Sequence, residues 1–254
     1  MNAHAAKVEV PTPSAGTGAA RILIATFAYN EGEKIQTTVR RILDASTHDL
    51  IVMDDGSSDG SMEPLRQTRA RIVSSPKTMG IGWEMKRSLQ IALDEGYDII
   101  VIMAGNNKDD PTEIPRLLKP ILEDGFDFVQ GSRFLQGGGH GNMPFYRRLA
   151  TRLHPFLFSI ASRKWVTEST NGFRAFRTSI LKDARIDWRQ DWLDKYELEP
   201  YLLYRTIRLG YRHTEVPVTK IYPPKKLGYT KMKPLTGWWS ILRPIFYLAL
   251  GIKR

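Results

Sequence analysis

The stretch that most constrains this chain is Ile51-Val52-Met53-Asp54-Asp55-Gly56-Ser57-Ser58-Asp59-Gly60. An apolar run climbs into two adjacent carboxylates, and a turn of Gly, Ser and Asp follows at once. A buried strand of this kind delivers its last residues to the carboxyl edge of a sheet, where open α/β sheets bind ligands. Gly56 and Gly60 permit a tight backbone path that leaves Asp54 and Asp55 at that edge. The same residues also suit a plain strand, turn and helix, capped by Asp59 or Ser61. The flanking sequence decides between the two.

Arg21 to Phe27 reads as a first strand, followed by Tyr29-Asn30-Glu31, with Asn30 as a helix cap and Glu33 in capping-box position. Ile35, Val39, Ile42 and Leu43 give the apolar stripe of a helix. His48 to Asp55 is the second strand, Arg71 to Ser74 the third and Tyr97 to Met103 the fourth. A helix over Met79 to Glu95 lies between the last two. Asp110, Pro111 and Glu113 start another helix. Phe126 to Gln130 is the fifth strand, ending in Gly131-Ser132-Arg133. Strands alternating with helices predict a mainly parallel central sheet flanked by helices. A chain of 254 residues fits one large α/β domain.

The second half reads differently. Gln136 to Met143 is a glycine-rich loop. Leu149, Leu153, Phe156, Leu157 and Ile160 form one helical face after Arg147-Arg148, with Pro155 kinking or dividing the helix. Thr170 to Phe176 reads as a compact turn, Tyr196 to Leu209 as a helix and Thr214 to Ile221 as a late strand. Residues 1–20 are expected to be a disordered leader and 21–230 the folded domain. Residues 231–254 form a basic, aromatic, amphipathic segment.

There is no cysteine, which excludes disulfides, thiolate metal sites and cysteine nucleophiles. The net charge of +10 favours anionic partners. From Val216 onward there is no Asp or Glu, and Trp238, Trp239 and Phe246 lie among lysines and arginines. That composition suits an anionic membrane surface; a helix packed on the sheet, or a homo-oligomer contact, are the alternatives. No apolar run is long enough to span a bilayer, and no signal-peptide layout opens the chain. A cytoplasmic protein, peripheral on the inner face of the cell membrane, is expected.

Five motifs in order, Tyr29-Asn30-Glu31, Asp54-Asp55-Gly56-Ser57, Gly131-Ser132-Arg133, Tyr146-Arg147-Arg148 and Asn171-Gly172-Phe173-Arg174, carry a resemblance over about residues 21 to 222. The chain resembles the family-2 glycosyltransferases of the GT-A (Rossmann-like) fold, and among them the polyprenyl-phosphate sugar synthases of the dolichol-phosphate mannosyltransferase type. The resemblance implies a GDP- or UDP-linked sugar donor, held through Phe27, Tyr29, Glu31, Asp54 and Asp55. It implies a lipid-phosphate acceptor, with Lys108, Ser132, Arg133, Arg148 and Arg174 facing phosphate. Arginine suits that role because its planar fork binds phosphate bidentately.

Family members carry Asp-x-Asp after strand four to hold a divalent cation. Here those positions are Ala104, Gly105 and Asn106. Three arrangements remain open: a metal held through Asn106 and the donor phosphates, a metal held by Asp109, or Lys108 and arginines replacing part of its charge. Weak use of Mg²⁺ or Mn²⁺ with cationic help is expected.

The family mechanism is inverting. An ionised phosphate acceptor needs no general base, whereas a hydroxyl acceptor does; Asp194, Glu197 and Glu199 are the candidate bases. Glu197 and Glu199, two apart, cannot share a helical face. A saccharide acceptor in surface-polysaccharide assembly, and a nucleotide-sugar-binding pseudoenzyme, are the competing functions. Nucleic acid is not expected, because no recognised motif accompanies the charge.

Overall fold

A computed structural model describes residues 19–222 and 234–253. Residues 1–18 of the expected leader, and the lysines between 225 and 233, lie outside the described residues. Seven strands form one sheet in the order β3-β2-β1-β4-β6-β5-β7. They are β1 (Ile22–Ala28), β2 (Asp49–Asp54), β3 (Arg71–Ser74), β4 (Ile99–Ala104), β5 (Phe128–Ser132), β6 (Arg174–Arg177) and β7 (His213–Pro217). All neighbours pair parallel except β6, which runs antiparallel to both β4 and β5. The helices are α1 (Glu33–Ala45), α2 (Ile81–Asp94), α3 (Ile114–Glu123), α4 (Phe145–Ser162), α5 (Leu198–Arg208) and α6 (Pro234–Ala249).

Side chains alternate across the strands, and both faces are covered. Leu23, Ala25 and Phe27 join Met85 and Leu89 of α2 and Tyr201 and Leu202 of α5 in one core. Ile22, Ile24 and Ala28 join Ile35 and Val39 of α1 and Leu117 and Ile121 of α3 in the other. A sheet buried on both faces reads as near-continuous apolar runs, which is why β1, β2 and β4 were legible.

Two local readings change. Thr170 to Phe176 is more than a turn, because Arg174 to Arg177 pairs as β6. An arginine at a fully buried strand position breaks the apolar run that marks the other central strands. Asn30 does not cap α1; Gly32 occupies that position. Asn30 instead ties two loops together. Its N–H donates to Ser57 Oγ (2.9 Å), and its Oδ1 accepts from Ser58 N (2.8 Å).

The C-terminal α6 packs into the body of the molecule. Ile245 and Leu248 sit in the α2–α5 core. The fully buried Glu197 accepts hydrogen bonds from Ser240 Oγ and pairs with Arg243 (2.5 Å). His154 of α4 lies 3.1 Å from the Ile241 carbonyl. Breaking a buried ion pair by removing one partner costs about 3–5 kcal/mol. Arg243→Met should therefore lower unfolding free energy by about that amount, and Glu197→Gln in the same background should recover part of it. Urea melts of the single and double variants measure the coupling; strictly additive effects would show that the pair does not hold α6.

Candidate active site

The carboxyl ends of β1, β2 and β4 open into a cavity of about 420 Å³. Phe27, Tyr29 and Glu31 reach it from β1 and the loop that follows. Asp55 reaches it just beyond β2, where Gly56 at φ 74° lets the chain turn tightly past Lys77. The Asp55 carboxylate accepts Met79 N (2.6 Å) and Gly80 N (3.1 Å), which closes the loop before α2 over this edge. Asp54 is buried and turned aside: its Oδ1 accepts Ser57 N (2.9 Å) and shapes the turn. The two adjacent carboxylates thus do different work, as alternation along a strand requires.

At the end of β4, Gly105 passes so close to β1 that a Cβ would lie 2.4 Å from the Phe27 carbonyl. This brings Asn106 and Lys108 into the cavity. Asn106 Oδ1 is buried with no hydrogen-bond partner among the described residues. Asp109 is turned into the protein, where it takes Lys220 Nζ at 2.5 Å; the same ammonium donates to Asn171 Oδ1 (3.0 Å). Lys108 and Arg147 lie over one Tyr222 ring, at 5.2 and 5.3 Å. Burial, then the charges of Lys220 and Arg147, pull the Lys108 ammonium down to about 8.

Arg133, after β5, lines the cavity but is pinned within it. Its Nε donates to Glu168 (2.6 Å), and its two terminal nitrogens donate to the Tyr222 hydroxyl (2.9 Å) and to Thr170 Oγ1 (2.8 Å). Burial opposes this guanidinium's charge, and Glu168 overrides burial, so its pKa rises. Glu168 in turn is held below the usual carboxylate range: burial would raise it, and Arg133 outweighs burial.

Several expected residues stand elsewhere. Ser132 is buried against Thr167 Oγ1 at 2.7 Å. Arg148 is exposed on α4, and its neighbour Arg147 lines the cavity instead. Arg174, 1% exposed in β6, donates to the Asn171 and Glu199 carbonyls and to Glu199 Oε1 (3.2 Å), so its guanidinium positions Glu199 rather than facing a phosphate. Of the three candidate bases, Glu199 lines the cavity. Glu197 is occupied with α6, and Asp194 pairs with Lys86 outside the cavity.

The cavity also takes in Lys34, Glu84, Tyr196, Lys220 and Tyr222, which the sequence did not single out. Glu84 is fully buried, and burial raises its pKa despite Ser75 and Arg87. Nothing in a single sequence pairs Lys220 with Asp109 across 111 residues.

The donor set does not fit a dedicated divalent-cation site. Asn106 supplies one neutral oxygen, Asp109 is neutralised by Lys220, and Asp55 is engaged by backbone N–H groups. Among the described residues no group of three His, Asp or Glu side chains could hold a metal ion. Hard cations require several oxygens and favour carboxylates.

A profile described as Glycosyl transferase family 2 matches residues 23–185. The chain belongs to this family. The transferase is 31% identical to an undecaprenyl-phosphate mannosyltransferase of Micrococcus luteus, over 84% of this chain and 87% of that one. It is 28% identical to a polyprenol monophosphomannose synthase of Mycolicibacterium smegmatis, over 84% and 81%. Its fold matches glucosyl-3-phosphoglycerate synthase of Mycobacterium tuberculosis, solved with Mn²⁺, uridine diphosphate and glucosyl-3-phosphoglycerate. That match has a TM-score of 0.66 at 20% identity and covers 91% of this chain and 79% of that one. The GT-A fold and glycosyltransferase activity expected from the motifs therefore hold.

Two outcomes test the site. Glu168→Gln leaves a buried guanidinium without its counter-charge, and should destabilise the transferase by about 3–5 kcal/mol in chemical denaturation. Lys108 is cationic below about pH 8 and neutral above it. Affinity for inorganic pyrophosphate should therefore fall as pH rises through 8, and Lys108→Met should flatten that profile in calorimetric titrations.

Proposed function

We propose that this enzyme moves a sugar from a nucleoside-diphosphate sugar to a polyprenyl phosphate, with inversion at the anomeric carbon. The observation that carries this reading is the cavity itself. Phe27, Tyr29, Glu31 and Asp55 line it and suit a nucleoside, and Lys108, Arg147, Lys220 and Arg133 line the same cavity. Carboxylates accept hydrogen bonds from base N–H and ribose hydroxyl groups, while the cations suit a diphosphate and an incoming phosphate. A phosphate oxygen of the acceptor attacks the anomeric carbon; the bond from that carbon to the diphosphate oxygen breaks, and the nucleoside diphosphate leaves with the electron pair. The nucleophile is already ionised, so no base is needed. Glu199, held by Arg174, orients the sugar or acceptor. The named relatives support the polyprenyl phosphate acceptor.

The surface of α4 supports a membrane-facing site. Phe145, Leu149, Leu153, Phe156 and Ile160 form one face and are all exposed, Phe145 to 78%. The opposite face buries Phe158 together with Thr151, His154, Ser159 and Ser162, so the helix carries apolar side chains on its outer side as well as its inner one. Arg148, Arg152 and Arg163 stand exposed beside the apolar face. An apolar stripe rimmed by cations suits shallow seating on anionic lipid. Among the described residues no helix is long and apolar enough to cross a membrane. α6 buries Ile245 and Leu248 in the core, but Trp239, Phe246, Leu250 and Ile252 are exposed, so the docking role expected of 231–254 is shared with α4.

A second reading keeps the donor and uses a saccharide hydroxyl, with Glu199 as base; the presence of that carboxylate in the cavity favours it. Incubation with GDP- and UDP-linked sugars and polyprenyl phosphate in anionic vesicles should yield the lipid-linked sugar of inverted configuration. Leu149→Asp with Leu153→Asp should cut vesicle binding at least about tenfold while leaving transfer to a short soluble acceptor. Transfer confined to saccharide hydroxyls, or vesicle binding untouched by these substitutions, would overturn the respective parts.

A further inference from the structure

Resting on that donor reading, we propose that Lys108 and Arg147 stabilise the departing diphosphate in place of a divalent ion, so that donor binding and transfer proceed without metal. The geometry carries this. The two cations lie over the same Tyr222 ring, one from the loop after β4 and one from the first turn of α4. Both line the cavity, as does Lys220. Together Lys108 and Arg147 supply the two positive charges that a divalent ion would bring.

Of the acids around the cavity, Asp109 is paired with Lys220 and Glu199 with Arg174, while Glu31 pairs with Lys34 at 3.3 Å and its charge also supports the Lys108 ammonium. The strand-four positions hold Ala104, Gly105 and Asn106, so the one side-chain oxygen there is neutral. Two carboxylates and a divalent ion would together be close to neutral before substrate arrives. Here the carboxylates are replaced, and the positive charge is part of the protein. Preorganised cations aimed at developing charge lower a barrier without being recruited at the moment of reaction. Asn106 Oδ1, an acceptor with no donor among the described residues, is left to take a sugar hydroxyl or a water.

When the nucleoside diphosphate leaves, its terminal oxygen acquires the bonding electron pair. The Lys108 ammonium and the Arg147 guanidinium share that charge through hydrogen bonds, and no proton need be transferred.

The test is calorimetric binding of GDP and UDP to the full chain, first stripped with EDTA and then supplied with Mn²⁺. The expected result is an affinity for the preferred nucleotide that changes less than about threefold between the two conditions. Lys108→Met and Arg147→Gln should each lower it about tenfold or more in EDTA. Arg147 lies partly exposed on α4, so that variant reads the site even if Lys108→Met disturbs folding. Single-turnover transfer in EDTA should persist in the wild type, and kcat should fall more than KM changes in both variants. Binding that disappears in EDTA and returns at micromolar Mn²⁺ would overturn the inference and leave the glycosyltransferase reading intact. Absence of nucleotide binding in both conditions would overturn the donor reading and this inference with it.

Discussion

The buried carboxylate of Glu168 is the interaction on which the second half of the cavity depends. It takes the Arg133 guanidinium, the N–H groups of Ser169 and Thr170 and the Thr170 hydroxyl. Glu215 of β7 takes the N–H groups of Thr167 and Glu168, fastening the same segment to the edge of the sheet. A charge buried this completely is tolerable only because it is paired with a guanidinium and both oxygens accept hydrogen bonds. The cost of disturbing it is what keeps Ser169, Thr170 and Gly172 in place along the cavity. Arg133 is held so tightly here that it serves first as part of the wall.

The same economy governs the rest of the cation set. Lys220 joins β7's extension to Asp109 and Asn171, and Asn171 Nδ2 donates to the Gly131 carbonyl (3.0 Å) at the end of β5. Strands distant in sequence are thus bound through polar groups at the sheet's edge, close to where ligand would sit. A buried network of this kind positions groups more strictly than apolar contact, since each member has few acceptable geometries. Lys108 and Arg147, both over the Tyr222 ring, line the cavity beside this framework.

The exposed apolar face of α4 connects the site to its surroundings. Arg147 and Thr151 line the cavity from the helix whose outer face exposes Phe145, Leu149 and Leu153. A helix seated on lipid would hold the reacting groups at a constant depth beneath the surface. Its inner face is tied to α6 through His154 and the Ile241 carbonyl, and α6 is tied to α5 through Arg243 and Glu197. The chain of contacts from the exposed apolar side chains of α4 to the Glu199 region is continuous.

The sequence alone determined the alternation of strands and helices, the family, and the place of Tyr29, Glu31 and Asp55 at the sheet's edge. Each of these is written locally, as an apolar run, a turn-forming glycine or a carboxylate at a strand end. What only the tertiary structure decided is which charged groups face the cavity. Arg174 and Arg133 carry the same motif-level signal, yet one lies wholly inside β6 and the other is walled in by Glu168. Arg147 and Arg148 are adjacent, yet helical rotation of about 100° per residue sends one inward and the other out. The apolar stripe of α4 was legible, but whether it met the core or the solvent was not, because periodicity gives a face and not its direction. Charge partners such as Asp109 and Lys220 are chosen by folding, which brings together groups that local sequence leaves independent.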